Sequence, residues 1–479
     1  MIYVQLNENN FEYDIYSLVK AFYPKEEVKI STEPVPEDAG LLFSMQVNYS
    51  DNVLTLDGRE IQIDYENRPD TKNRLKLAIY ESLHERTGKD LPWGTLTGIR
   101  PTKISLGMIE EGASDSDVTA YMRQTYLTSQ EKIDLSLQVS HKEHELLSKI
   151  DYDNGYSVYI GIPFCPSTCL YCSFTSYPIG LWTKKLDDYI DALEKEMAFT
   201  AESCKGKSLT TIYIGGGTPT SLDAEHLERL LTLVDRYFNT ADLLEYTIEA
   251  GRPDSITLEK LQVMKNHPVS RISINPQTMN QKTLDLIGRF HKVEDIHRVF
   301  GWARDLGFKN INMDLILGLP GETIEDVAYT LSEVEKLAPD NLTVHSLALK
   351  HSARLNYDKE AYEDYLIDNS QKHMDICLDA AKRMGMAPYY LYRQKNMAAN
   401  LENIGYSTPG NEGLYNILIM EEKQTIMALG CGTACKFVTD HGKTVTRCEN
   451  VKDVQLYMDR IDEMIERKRE RLREDLKWL

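Results

Sequence analysis

The sequence predicts an α/β protein with repeated β/α units at its centre, an α+β segment before them and a mostly helical segment after them. From Tyr156 onward, short β-branched runs alternate about six times with amphipathic helical patterns. This alternation is typical of a parallel sheet whose strands are joined by crossover helices. At ~150 residues per domain, the 479 residues are enough for about three domains. We therefore predict an N-terminal accessory domain, a β/α core and a C-terminal domain over residues 1–150, 151–365 and 366–479.

The composition is that of a folded protein with sizeable cores. Apolar residues form 42% of the chain and charged residues 27%, which excludes disordered and fibrous classes. No apolar run approaches the ~18 residues of a membrane helix. The first residues, MIYVQLNENNFEYD, lack the pattern of a secretory signal. A net charge of −20 disfavours nucleic acid as a partner. We expect a cytoplasmic protein that binds neither membranes nor nucleic acids.

The N-terminal segment combines strand and helix patterns, which predicts its α+β class. Short strands are expected at 41–48, 53–56 and 61–65, where DNVLTLDGREI also carries hairpin turn signals. Helices are expected at 73–86 and 130–150, where apolar residues recur at helical spacing.

Three of the eight cysteines form a tight motif, GIPFCPSTCLYCSF, after the first predicted strand of the core. A structural zinc site needs four closed ligands, usually two separated pairs, and a catalytic nucleophile needs only one cysteine. Three thiolates, from Cys165, Cys169 and Cys172, can instead hold three irons of a [4Fe–4S] cluster and leave the fourth iron open. An open iron suits a chelating molecule such as S-adenosylmethionine, which offers an amino group and a carboxylate.

Cys431 and Cys435 repeat the first spacing of that motif, in ALGCGTACKF. Cysteine is also a common small buried residue, and GCGTAC is equally typical of a tight turn. We therefore expect one cluster and not two.

The motif CPSTCLYC resembles the signature of the radical S-adenosylmethionine enzymes, and TIYIGGGTPT resembles their glycine-rich motif. More narrowly, residues 159–348 resemble the oxygen-independent coproporphyrinogen III oxidases, also called dehydrogenases. The long N-terminal domain and YRQKNMAANLENIGY resemble the variant found in Gram-positive anaerobes. The resemblance implies a partial (β/α)6 radical-SAM barrel. It also implies that S-adenosylmethionine is bound by residues at the carboxyl ends of the strands, namely Tyr159, Gly216, Gly217, Thr218, Glu249, Gln277, Arg289, Asp314 and Ala348.

The same resemblance implies a reaction in haem biosynthesis. A low-potential donor such as flavodoxin or ferredoxin reduces the cluster, and a 5'-deoxyadenosyl radical removes hydrogen from two propionates of coproporphyrinogen III. Loss of carbon dioxide leaves the vinyl groups of protoporphyrinogen IX. No residue is assigned as an acid, base or nucleophile. Arg393 and Lys395, in PYYLYRQKN, are expected to anchor substrate carboxylates, because the protein's overall charge repels them.

One position departs from the oxidase pattern and keeps two alternatives open. Where the oxidase branch carries a further cysteine, this chain has Phe174, as the related haem-chaperone branch does. The first alternative is a haem-binding chaperone, for which His345 and Cys431 are candidate haem ligands. The second is a radical enzyme that breaks a tetrapyrrole. Product analysis distinguishes the three functions.

Overall fold

The structure is a computed structural model and describes residues 1–36, 40–98, 100–348, 369–393 and 401–478. These residues form two compact units: Met1–His144 with Tyr392–Glu402, and Glu145–Leu391 with Asn403–Leu479. Among the described residues, no helix has both the length and the apolar content that crossing a membrane requires. The three-domain boundaries given above stay a prediction.

The first unit is an α+β unit built on one five-stranded sheet. Its strands are β1 (Ile2–Leu6), β2 (Val28–Ser31), β3 (Phe43–Ser50), β4 (Val53–Leu56) and β5 (Arg59–Gln62). Its helices are α1 (Glu12–Phe22), α2 (Arg68–Thr87), α3 (Thr102–Glu110), α4 (Asp115–Tyr126) and α5 (Gln130–Leu147). The strand order is β2-β1-β3-β4-β5, with β1 parallel to both neighbours and the other pairs antiparallel. Alternate side chains of β3 are buried, because one face of the sheet covers a hydrophobic core.

The second unit alternates strands and helices. Its strands are β6 (Gly155–Ile162), β7 (Phe164–Cys165), β8 (Tyr177–Pro178), β9 (Ser208–Gly216), β10 (Glu245–Gly251), β11 (Arg271–Ile274), β12 (Ile311–Leu317), β13 (Asn341–Ser346), β14 (Ala387–Tyr392), β15 (Asn403–Ser407), β16 (Thr425–Leu429), β17 (Ala434–Thr439) and β18 (Thr444–Glu449). Its helices are α6 (Leu186–Ser203), α7 (Ala224–Tyr237), α8 (Leu258–Asn266), α9 (Gln281–Leu286), α10 (Val293–Asp305), α11 (Ile324–Leu337), α12 (Gln371–Arg383), α13 (Leu414–Glu421), α14 (Val454–Asp459) and α15 (Ile461–Arg471).

Six neighbouring parallel strands, β6-β9-β10-β11-β12-β13, form the centre of a larger sheet and confirm the predicted β/α units. Strands from the segment expected to be mostly helical extend this sheet at both ends. β16 lies parallel to β6, and β15 lies antiparallel to β13. The sequence did not reveal these strands because a short apolar run such as TIMAL in β16 fits a buried helix equally well.

A buried carboxylate connects α6 to the C-terminal helices within the second unit. Glu196 is fully buried and accepts hydrogen bonds from the Gly430 amide at 2.8 Å, Asn450 Nδ2 at 2.8 Å and the Tyr457 hydroxyl at 2.5 Å. It also accepts a charge-assisted hydrogen bond from the Lys468 ammonium, which is itself buried. Because all four donors come from residues after 429, this carboxylate holds the end of the chain against the barrel helix α6.

Lys468→Met should destabilise the second unit strongly. Removing one partner of a buried ion pair leaves an uncompensated charge and typically costs ~3–5 kcal/mol. The matched control is Lys195→Met. Lys195 also forms an ion pair between α6 and α15, but its partner is the exposed Asp462. Exposed pairs contribute about 0–1 kcal/mol. Thermal or urea denaturation measures both variants, and equal losses in the two would contradict a special role for the buried pair.

Candidate functional site

The three clustered cysteines lie directly after β6, at the carboxyl edge of the parallel strands. Cys165 and Cys169 are buried, Cys172 is half-buried, and all three are free thiols. Burial raises the pKa of Cys165 to about 11 and also raises the pKa of Cys172. Thiols of this kind stay protonated until a metal displaces the proton, so a bound cluster would supply the charge that stabilises the thiolates.

The cysteine loop is held from two neighbouring connections of the barrel. The Leu170 amide donates to the Ile287 carbonyl at 3.0 Å, and the Ser167 hydroxyl donates to the Gly288 carbonyl at 3.3 Å. On the other side, the Arg252 guanidinium donates to the carbonyl and to the hydroxyl of Ser167, both at 2.9 Å. Arg252 was not among the residues predicted from the sequence, although it lies immediately after β10 in the TIEAGRPD segment that contains Glu249.

The glycine-rich segment at the end of β9 packs backbone to backbone against the start of the cysteine loop. The Gly217 amide donates to the Ile162 carbonyl at 2.8 Å, and the Thr218 amide donates to the Phe164 carbonyl at 2.7 Å. A Cβ atom on Gly217 would lie 2.6 Å from the Phe164 carbonyl oxygen, which no side chain tolerates. Gly216 has a φ of 109°, a conformation that favours glycine. The site therefore requires glycine at both positions.

Two carboxylates at the same edge have opposite pKa shifts. Burial raises the pKa of Glu249 to about 7, although the Tyr213 hydroxyl donates to Glu249 Oε1 at 2.5 Å and opposes the shift. Burial also acts upward on Asp314, but the neighbouring His345 imidazole and a hydrogen bond from Asn312 outweigh it and lower the pKa of Asp314. At neutral pH, Asp314 is therefore a fixed anion, whereas Glu249 changes its charge.

Polar atoms along β11 and the turn after it retain hydrogen-bonding capacity. The Ser273 hydroxyl, Asn275 Oδ1 and Gln277 Oε1 are buried without a hydrogen-bond partner in the described part of the chain. Arg289 donates to the Asn275 carbonyl and, at 3.1 Å, to the Tyr171 hydroxyl, while its Nε has no partner among the described residues. Buried polar atoms of native proteins are normally paired. This arrangement therefore fits a polar ligand that supplies the missing partners.

The remaining predicted contacts lie at the same sheet edge. The ring of Tyr159, on β6, stacks against those of Tyr213 and Tyr415 with ring centroids 6.0 and 6.1 Å apart. The Tyr213 and Tyr415 rings stack on each other at 4.4 Å. Ala348 follows β13 by two residues. The structure thus brings together the predicted residues on β6, β9, β10, β12 and the loops after β11 and β13.

These residues fit both groups that the sequence resemblance implies. Three free thiols suit a cluster, and the glycine backbone and unpaired polar atoms suit an amino acid with a carboxylate and an amino group. Across the described ranges, no three His, Cys, Asp or Glu side chains converge as they would around a single metal ion. A cubane cluster distributes its thiolates over separate irons, so its ligands are more widely spaced.

Cys431 and Cys435 lie apart from this motif in the chain, around the turn between β16 and β17. The Cys431 thiol donates to the Lys452 carbonyl at 2.8 Å, and the Cys435 sulfur accepts from the Ala428 amide at 3.2 Å. Each of these two sulfur atoms thus contacts a backbone group close to the turn. That the chain binds a single cluster stays a prediction.

Arg393, expected to anchor substrate, lies in the first unit and has structural contacts there. It is buried, donates to the Leu96 carbonyl at 2.5 Å and lies over the Trp93 ring at 6.0 Å. Burial lowers its pKa to about 10, against the attraction of Glu402. Lys395 lies outside the described residues. The role of both cations in substrate binding stays a prediction.

The sequence matches a family model described as the radical SAM superfamily over residues 159–334. It is 36% identical to the oxygen-independent coproporphyrinogen-III oxidase-like protein HemZ of Bacillus subtilis (strain 168), over 97% of this chain and 96% of that protein. It is also 40% identical to the heme chaperone HemW of the same organism, over 40% of this chain and 51% of that protein. The solved structure of coproporphyrinogen III oxidase (HemN) from Escherichia coli, a radical SAM enzyme, superposes with a TM-score of 0.52 and 25% identity, covering 67% of this chain and 72% of that one. The chain therefore belongs to the oxygen-independent coproporphyrinogen-III oxidase-like proteins of the radical SAM superfamily, whose cofactors are a [4Fe–4S] cluster and S-adenosylmethionine.

Proposed function

We propose that this protein oxidises coproporphyrinogen III, converting two propionates to the vinyl groups of protoporphyrinogen IX in haem biosynthesis. The observation that carries the proposal is a set of three free thiols on a loop that packs against a glycine-rich strand end, in a chain that matches an oxidase-like relative over 97% of its length. The residues at this edge would hold the cofactors, and the radical chemistry would belong to the cofactors themselves.

The cysteines and the neighbouring strand ends divide the work of holding the cofactors. Cys165, Cys169 and Cys172 would hold three irons and leave the fourth for the methionine amino and carboxylate groups. When bound, the cluster and S-adenosylmethionine would supply a radical that takes one hydrogen atom from the β-carbon of each of the two reacting propionates; carbon dioxide would then leave, and one electron would pass to an external acceptor for each vinyl group formed. The low-potential donor that reduces the cluster, a flavodoxin or ferredoxin, is part of the proposal.

The polar residues orient the cofactor. Glu249 and the backbone of Gly216 and Gly217 would accept from the methionine amino group. The unpaired Nε of Arg289 would donate to its carboxylate, and a guanidinium binds a carboxylate strongly. Asp314, held by Asn312 at 2.7 Å and fixed as an anion, suits the ribose hydroxyls.

The aromatic residues keep water away from the reacting carbon. The stacked rings of Tyr159, Tyr213 and Tyr415 fill the inner face of the sheet next to Glu249. An apolar floor lowers the local dielectric and protects a reactive centre from side reactions with solvent.

A haem-binding chaperone is the second candidate function. The 40% identity to the heme chaperone HemW and the exposed Phe174 beside the cluster motif support it. Of the two candidate haem ligands, His345 is partly exposed, and its Nε2 lies 3.9 Å from Asp314 Oδ2. Cys431, in contrast, is buried. His345 is therefore the better candidate.

Product analysis tests the proposed function directly. The reconstituted protein, incubated anaerobically with a reductant, S-adenosylmethionine and coproporphyrinogen III, should form a divinyl porphyrinogen and release carbon dioxide. Recovery of unchanged haem bound to the protein, without turnover of the porphyrinogen, would favour the chaperone. A linear tetrapyrrole formed from haem would indicate a degrading enzyme.

Replacing Cys165, Cys169 and Cys172 together by alanine should abolish iron and sulfide binding and the associated charge-transfer absorbance, because no thiolates remain to hold the cube. The control is the Cys431→Ala, Cys435→Ala double variant, which should keep about four irons per chain. Iron content that survives the triple change would disprove the assignment, and about eight irons in the parent protein would indicate a second cluster.

The affinity for S-adenosylmethionine should fall as the pH drops through 7, because Glu249 becomes protonated and accepts more weakly. Asp314, Arg271 and Tyr213 are the charged or titratable groups acting on it. With a pKa of about 7, the ionised fraction falls roughly tenfold between pH 8 and pH 6. Equilibrium dialysis should show this fall in the parent protein and a nearly flat profile in Glu249→Gln. Parallel profiles would remove Glu249 from the site.

A further inference from the structure

Arg252 is a buried cation beside the cysteine motif, and the proposed chemistry does not use it. Its side chain is only 4% exposed. One guanidinium nitrogen, Nη1, lies 3.6 Å from Cys169 Sγ, within hydrogen-bond distance for sulfur, and the same nitrogen holds Ser167. The guanidinium is therefore placed to donate to the sulfur of Cys169.

The orientation of this guanidinium is fixed by a second residue. Asp254 accepts from Arg252 Nε at 3.0 Å and from Nη2 at 2.6 Å, so that the carboxylate grips two of the three nitrogens in a fork. The third nitrogen, Nη1, is thereby directed at Ser167 and Cys169. The contact with sulfur is thus set by the rigid fork and by the short turn from β10 to Pro253–Ser255.

We propose that Arg252 donates a charge-assisted hydrogen bond to the Cys169 thiolate of the bound cluster and thereby raises the reduction potential of that cluster. The inference rests on the assignment of the cluster to the three cysteines, and it does not depend on which tetrapyrrole is the substrate. Arg252 is a positioning residue that acts through Cys169.

The physical reason is electrostatic. Reduction adds an electron to a buried cluster that already carries negative thiolates, and a nearby cation stabilises the more negative state. Hydrogen bonds to the sulfurs and the net local charge are among the factors that set cluster potentials. With Arg252 in place, an electron donor of less negative potential can reduce the cluster.

The experiment is an EPR-monitored redox titration of the reconstituted full-length protein, with iron and sulfide content measured first. Arg252→Gln should make reduction of the cluster about tenfold less favourable, which lowers the midpoint potential by ~59 mV for one electron. Asp254→Asn should shift it in the opposite direction, because the change removes a compensating negative charge while the remaining amide oxygen still accepts from the guanidinium. Arg229→Gln, which breaks an exposed ion pair with Asp187 and Asp191, is the surface control.

Opposite shifts in the first two variants, with none in the control, support the proposal. A structural disturbance of the loop would instead lower iron content or move both potentials the same way. An unchanged midpoint potential in an Arg252→Gln protein with full iron content would overturn the proposal. If that variant does not keep its cluster, the Asp254→Asn titration decides, and the absence of an upward shift overturns the proposal. A parent protein that binds no iron after reconstitution would refute the cluster assignment itself.

Discussion

The close approach of the glycine segment to the cysteine loop is the constraint on which the site depends. Two backbone hydrogen bonds, from Gly217 to Ile162 and from Thr218 to Phe164, hold β9 against the residues that lead to Cys165. They form only because Gly217 has no side chain, since a Cβ there would lie 2.6 Å from a carbonyl oxygen. The same bare backbone leaves room for a bound ligand. The absence of a side chain at Gly217 therefore fixes the position of the chain that leads to Cys165.

Buried charges are concentrated where the second unit needs a fixed geometry. Glu196 and Lys468 join the last helix to α6, and Arg252 with Asp254 orients a donor toward Cys169. In each case the ionic partners satisfy each other and further hydrogen bonds, which is the condition under which burial of charge is tolerated. Burial raises the pKa of Glu249, which has no cationic partner at hydrogen-bond distance among the described residues. A ligand that brings N–H donors would relieve that cost.

The family and its cofactors are shown, but the relatives of this chain include proteins named as oxidases and proteins named as haem chaperones. The residues that hold a cluster and S-adenosylmethionine are therefore separable from those that decide what happens to a tetrapyrrole. Phe174, which follows the cysteine motif and is exposed, is one position at which this chain departs from the pattern expected of the oxidases. Arg252 lies in the same neighbourhood, and its proposed role concerns the cluster and not the substrate.

The sequence by itself determined the α/β class, the six β/α units and the cysteine cluster, because strand and helix periodicity and close cysteine spacing are local signals. It placed β4 at its observed bounds and α2 and α5 within a few residues of theirs. Only the tertiary structure decided that β15 and β16 extend the sheet and that Arg393 lies in the first unit, over Trp93. It also revealed Arg252 beside Cys169, since the two residues are 83 positions apart in the chain. Contacts of that kind arise from the packing of parallel strand ends at one edge, which no local pattern of residues records.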